Sequence, residues 1–248
     1  MKTENENNIY EGEELVSEHI QINGYVEADT IIEAINLQID GATHQDSMQF
    51  ARNAKINVHQ GTLRCNNAHI NILEGGEIHA TTAHIKSALN GTIYAQDVVV
   101  DYATDDLKVF ASKSITIKSI DGNNNIFKIN YKEIPIINSK LDLIKEDISD
   151  LNYSLKEAQK HNLSQITSIE SKIKKFEDEL NAIKNSARNA KITIEKSIGK
   201  SNKIIFELTT GEELIYETQG LNYSSFYLEF KKDKVLLQPV NKTFTLNS

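Results

Sequence analysis

The side chains with most chemistry in this 248-residue chain are one cysteine, seven histidines and a run of aspartates. Cys65 falls in a column of small residues described below, which reads as a buried structural thiol rather than a nucleophile. His69 and His84 recur at one outward place in successive repeats and could face each other at strand spacing. A shared metal would need a further ligand, since zinc takes at least three from the protein, and none is identifiable. Asp97, Asp101, Asp105 and Asp106 form an acidic stretch. Solvated turn carboxylates are the reading, with a calcium or carbohydrate-lyase site as the alternative. No P-loop, dinucleotide fingerprint, zinc pattern or nucleophile elbow occurs. The expectation is therefore no catalytic residue, no cofactor and no metal.

Composition points the same way. The net charge of −8 argues against nucleic-acid binding, which needs clustered Lys and Arg. No apolar run approaches the roughly 18 residues of a membrane span. The opening MKTENENNIY has no apolar core of a secretory signal. A lone cysteine excludes an internal disulfide framework and fits a reducing compartment, so a cytoplasmic protein is expected.

The elements that hold these residues repeat. One unit recurs: apolar, any, small, any, any, apolar, any, apolar. It reads 15–22, then 32–39, 49–56, 63–70, 78–85, 93–100 and 109–116. The small column is Ser17, Ala34, Ala51, Cys65, Ala80, Ala95 and Ala111, at spacings of 17, 17, 14, 15, 15 and 16. A glycine column follows: Gly24, Gly41, Gly61, Gly76, Gly91 and Gly122, with Asp105-Asp106 supplying the turn where it lapses before Leu107. Alternating apolar residues make short strands with one face inward. A small residue at a fixed place suits a tight inner bend, and glycine suits a corner of positive φ or close backbone approach. Such rungs cannot bury their inner faces alone, so they must stack. The pattern predicts a parallel β-helix over 15–135, right-handed from the general preference of parallel crossovers, behind an acidic flexible tail at 1–14. The 14–17 spacing does not fit left-handed hexapeptide coils.

After Pro135 the period changes. Ile137, Leu141, Ile144, Ile148, Leu151, Leu155 and Ala158 are spaced 4-3-4-3-4-3; Ile166, Ile169, Ile173, Phe176, Leu180, Ile183 and Ala187 are spaced 3-4-3-4-3-4. These seams predict an antiparallel coiled-coil hairpin within 136–190, with arms of equal length and Asn162 or Ser164 as a cap. The hairpin is either self-contained or recruits a second chain through the open seam at Leu151, Leu155, Ile166 and Ile169. Residues 191–248 return to strands that complete or cap the β-helix.

Rungs such as GEIHATTAHI and GTIYAQDVVV, then a heptad hairpin, then strands, resemble bacterial flagellar assembly protein A. The rungs alone also resemble bactofilins and the β-helical domain of the septum-site inhibitor. The first resemblance implies a right-handed β-helix, no catalysis, and a scaffold or regulatory role in polar flagellar assembly through protein contacts, with the cell pole as its place. Members of that family usually carry a further N-terminal domain; here only about 14 residues precede the rungs, so a role owned by that domain is not carried over. A bactofilin-like polymer is the alternative, and a β-helix enzyme acting on carbohydrate the second alternative.

Two outward columns change character along the stack. One reads Gln21, Gln38, Lys55, His69, His84, Val99 and Ile115; the other reads Glu33, Phe50, Arg64, His79, Tyr94 and Phe110. A solvated face should not turn apolar. Tyr94, Val99, Phe110 and Ile115 are therefore expected to be covered by the tail, the hairpin base or another chain, in a monomer or homodimer.

Overall fold

The computed structural model describes residues 3–161, 165–185, 189–196, 201–208, 210–218, 224–231 and 234–240. It is mainly β, with 52% strand and 25% helix, and its parallel sheet is a β-solenoid of about 8 turns. The strands are β1 (Thr3–Glu6), β2 (Glu14–Ile22), β3 (Ile31–Ala42), β4 (Met48–His59), β5 (Thr62–Leu73), β6 (Glu77–His79), β7 (Thr82–Ala88), β8 (Gly91–Ala103), β9 (Leu107–Ile120) and β10 (Ile126–Ile129). Two helices follow, α1 (Pro135–His161) and α2 (Ile166–Lys184). The chain then returns through β11 (Lys191–Ile194), β12 (Lys203–Glu207), β13 (Glu213–Glu217), β14 (Ser224–Lys231) and β15 (Lys234–Val240).

The repeat unit explains the shape of one coil. In β5, Leu63 and Cys65 point inward, Asn66 and Asn67 both point out, and Ala68 and Ile70 point inward again. Two consecutive outward residues mark the bend, and the small residue sits on its inner side. Stacking in parallel register lines the interior with columns. Leu63, Ile78, Ile93, Val109 and Phe127 lie in successive coils, each fully buried. The glycine corners work mostly by close approach. A Cβ on Gly41 would collide with the carbonyl of Gly24 in the coil beneath; Gly91, at φ 102°, also needs the left-handed region.

Three sequence expectations change. Residues 3–14 are not a free tail: β1 pairs with His19–Ile22, and Ile9 is buried and bridges Val26. Backbone pairing and the burial of Ile9 dock this partial coil together. Ile115 is not on the outward strip. Ala95 pairs with Ala111 but Asp97 pairs with Ser114, so β9 carries one extra residue. That bulge reverses the alternation beyond it. Ile115 and Ile117 turn into the core, and Thr116 takes the outward place beside Val99. The helical arms are also unequal, at 27 and 19 residues. α1 continues past its last seam residue, Ala158, to His161, and α2 starts behind Gln165 with no side-chain cap. Asn162, Ser164 and Ala187 lie outside the described residues.

The hairpin is an insertion within one coil. β10 pairs with Lys108–Ala111, the first half of β9, and β11 pairs with Ser114–Ile117, its second half. The stack then ends in antiparallel pairs: β12 lies parallel on β10 and antiparallel to β13, while β11 carries β14 and then β15.

The interior is polar around β4. Gln49 occupies an inner apolar column, fully buried, and its amide donates to Ser47 Oγ at 2.8 Å. His59 is also fully buried, with Nδ1 3.1 Å from Thr43 Oγ1 and Nε2 3.3 Å from the Glu77 carbonyl. Burial lowers its pKa to about 4, against smaller opposing effects from the backbone at Glu77 and Gly61. The unfolded chain takes up this proton near pH 6.5, and the folded chain refuses it until about pH 4. Stability from this group is therefore complete above about 6.5 and falls with pH across that window, by roughly 3 kcal/mol. Denaturant midpoints measured against pH should carry this slope, and His59→Leu should remove it; an unchanged slope in the variant would assign the acid sensitivity elsewhere.

The small column makes a second prediction. Ala80 and Ala95 are fully buried at the inner bend. Ala80→Leu or Ala95→Leu should cost about 1–3 kcal/mol by overpacking. A change within about 0.5 kcal/mol of zero in equilibrium denaturation, normal for a surface site, would contradict the placement.

Candidate interaction site

The outward column of Glu33, Phe50, Arg64, His79, Tyr94 and Phe110 forms a continuous file along the wall. Its rings stack at the spacing of the coils. His79 lies 5.0 Å from Tyr94 at 13°, and Tyr94 lies 5.1 Å from Phe110 at 11°. Arg64 sits 6.0 Å over Phe50. His79 also bonds Glu77. Tyr94 and Phe110 are half-buried.

The next member of this file is Lys128, paired with Phe110 and nearly buried. Its Nζ meets Glu133 at 2.8 Å, Glu213 at 2.9 Å and Glu207 at 3.1 Å. Burial opposes its charge, but the hydrogen bonds it donates to the three carboxylates outweigh that and hold its pKa above the ordinary lysine value. Burial likewise opposes the charge of Glu207, and Lys132 and Lys128 pull its pKa below the ordinary value. Asn130 donates to Glu207 at 2.6 Å and to Glu133 at 3.1 Å. Glu133 belongs to the 3-10 turn Tyr131–Glu133 that leads into α1; Glu207 ends β12 and Glu213 begins β13. The cluster thus ties the hairpin root to the last strands. Burial, then the charges of Glu77 and Glu133, raise the pKa of Tyr94. Through Lys128, which follows Phe110 in the file and bonds Glu133, the hairpin root joins the upper end of the aromatic file.

A second wall is polar. Asn67 donates to Asn53, Asn53 to Asn36, and Thr82 to Asn67, each at 2.8 Å, with His19 3.0 Å from Asn36. This amide ladder was readable as a recurring Asn at the fifth place of the repeat, and the sequence reasoning passed over it. Beside it run Lys55, His69, His84 and Val99. The rings of His69 and His84 meet edge-on at 5.7 Å. His84 bonds Asp101 at 3.2 Å, and Asp101 pairs with Lys118 at 2.7 Å. Among the described residues no group of three His, Cys, Asp or Glu is placed to hold a metal. The aspartates are dispersed: Asp97 accepts from Ser114, Asp105 accepts from Asn123, and Asp106 makes a turn at φ 60°. Cys65 is buried, and burial pushes its thiol up to about 12, far from a reactive thiolate.

The hairpin seam is unevenly covered beyond the stem, where Ala158 and Ile173 are buried but their neighbours are not. Ile137, Leu141 and Ile144 of the stem are buried, with Leu180 and Ile183 packed against the first two, and Lys140 pairs with Glu179 at 2.6 Å. Leu151, Leu155, Ile166 and Ile169 are only half-buried, although they lie on the facing seam. Tyr153 is 69% exposed. No helix among the described residues is long and apolar enough to cross a membrane. Of the residues expected to form one surface, Tyr94 and Phe110 stand together, Val99 lies in another file, Ile115 is core, and the four hairpin residues form a separate patch.

Family models, curated proteins and solved structures offer no match to this chain.

Lys128→Met would leave Glu133, Glu207 and Glu213 converging without a cation. Removing one partner of a buried ion pair costs about 3–5 kcal/mol. Equilibrium denaturation should show a loss of that order, while Glu213→Gln, at a more exposed position, should cost under about 1 kcal/mol. Equal losses would mean that the lysine does not organise the cluster.

Proposed function

We propose that this chain is a non-enzymatic scaffold, in which the solenoid is a rigid base and the α1–α2 hairpin is the arm that holds another protein. The place of insertion carries the reading. β10 and β11 lie on two halves of one strand, so the coil closes above β9 whatever the length of the excursion between them. A segment that the solenoid does not need, with a half-open apolar seam, has its use in what it touches.

The order of parts supports a cytoplasmic role of the flagellar assembly protein A kind, organising or regulating flagellar assembly at the cell pole. A bactofilin-like filament is the second reading. Against it stand the antiparallel pairs β12–β13 and β11–β14, which interrupt the parallel stack at the end a polymer would extend. An enzyme acting on carbohydrate fits less well, because Asp97, Asp101 and Asp105 each engage a neighbouring coil.

Shortening each arm by one heptad tests the arm. Lys140 opposite Glu179, and Ile137 and Leu141 near Leu180 and Ile183, set Asp147–Tyr153 opposite Ser168–Lys174. Deleting both segments should leave the β signal and its melting temperature within a few degrees, and should abolish co-purification of the partner from cells of origin. An unfolded product would make the hairpin structural. A folded product that keeps its partner would move the contact to the wall at Tyr94 and Phe110. Deleting the gene should reduce or misplace flagella; normal number and placement would remove the flagellar part of the reading.

A further inference from the structure

We infer that the hairpin arm docks on a second copy of itself, face to face, forming a four-helix bundle about a two-fold axis that runs along the hairpin. The inference rests on the contact-arm reading and names the partner. The observation is a groove of about 460 Å³ between the helices, away from the root. Its floor is Leu151 of α1 and Phe176 of α2, both half-buried. One wall carries Asp147 and Asp150, and the other carries Lys172 and Lys175. All four charges are exposed, and the ion pairs on these helices among the described residues join others: Lys140–Glu179, Lys145–Asp142 and Lys160–Glu157.

This surface is complementary to itself. An isologous contact sets residue i on j and j on i. A two-fold along the hairpin lays α1 of one copy over α2 of the other at equal height. Asp147 and Asp150 then meet the second copy's Lys172 and Lys175, and the reciprocal pairs form on the other side. The same operation sets each floor on the other floor, covering Leu151 and Phe176. Nearer the root the signs are exchanged, with Lys140 on α1 and Glu179 on α2. The same axis satisfies these too, whereas a shift of one copy by about two turns would set like charges together. Charge thus fixes the register, and the apolar floor supplies the adhesion.

Size sets the strength. The 19 residues of α2 make a face about 28 Å long. Two helices side by side are about 20 Å wide. The two copies would then bury about 1,100 Å² together, at the low end for a specific interface. The expected dimer is therefore reversible, in the micromolar range, and weakened by salt.

Sedimentation of the full chain from about 1 µM to about 100 µM should show monomer passing to dimer. D147K/D150K and K172E/K175E should each stay monomeric over that range, with the β signal of the solenoid intact. Mixed in equal amounts, they should form a heterodimer, and the chain carrying all four reversals should dimerise again. Rescue by mixing separates a contact between chains from a role in holding one hairpin together. Wild-type chain that stays monomeric throughout would overturn the inference, as would a dimer indifferent to either reversal, or a mixture that does not associate. Heptad deletion that still releases a cellular partner from a monomeric wild-type chain would overturn self-docking while leaving the contact arm in place.

Discussion

Every coil of this solenoid is laid on the coil beneath it in parallel register, and that single relation dictates the rest. Coils about 4.8 Å apart admit no freedom at the corners. The small column from Ser17 to Ala111 and the collision that a Cβ at Gly41 would suffer are both its consequences. Register also determines which side chains become neighbours. Residues with no local reason to meet are brought together because they hold the same place in successive coils. The wall chemistry is a set of files, aromatic in one and amide in another.

Register explains how polar groups survive at such spacing. Amides one coil apart are at the right distance for each to donate to the next, so Asn36, Asn53 and Asn67 satisfy one another along the outside. Rings one coil apart stack, as His79, Tyr94 and Phe110 do. Like charges one coil apart would repel. Lys128 escapes the problem by following two uncharged rings, Tyr94 and Phe110, and drawing its counter-charges from the strands and turn that arrive later.

Much of this was legible in the chain itself. The return of a small residue every 14–17 positions, the glycine corners and the change of period after Pro135 each have one economical physical cause. The misreadings have causes too. Ile115 was placed outward because spacing alone does not reveal one extra residue, and the bulge between Ala111 and Ser114 reverses every later side chain in β9. The partial coil at 3–14 has no repeat to announce it, only Ile9. The cluster around Lys128 joins residues 79 and 85 positions further on. Pairings of that range are set by topology and leave no local pattern. The hairpin seam was visible as heptads, but its ends depend on where each helix meets the coil.

The split rung has a kinetic consequence. Between Ile129 and Lys191 the chain makes an excursion of 61 residues before it can finish one coil. As a disordered loop, that excursion would oppose closure through its entropy. Once α1 and α2 zip together, the effective loop shrinks to the short joints at the root, and the barrier falls by roughly 1.5 kcal/mol. Folding should therefore be ordered in time. The lower coils need only short connections and assemble first, the helical pair forms next as a local event, and the last rung closes over it. The part of the molecule offered to partners would be built before the floor that carries it is complete.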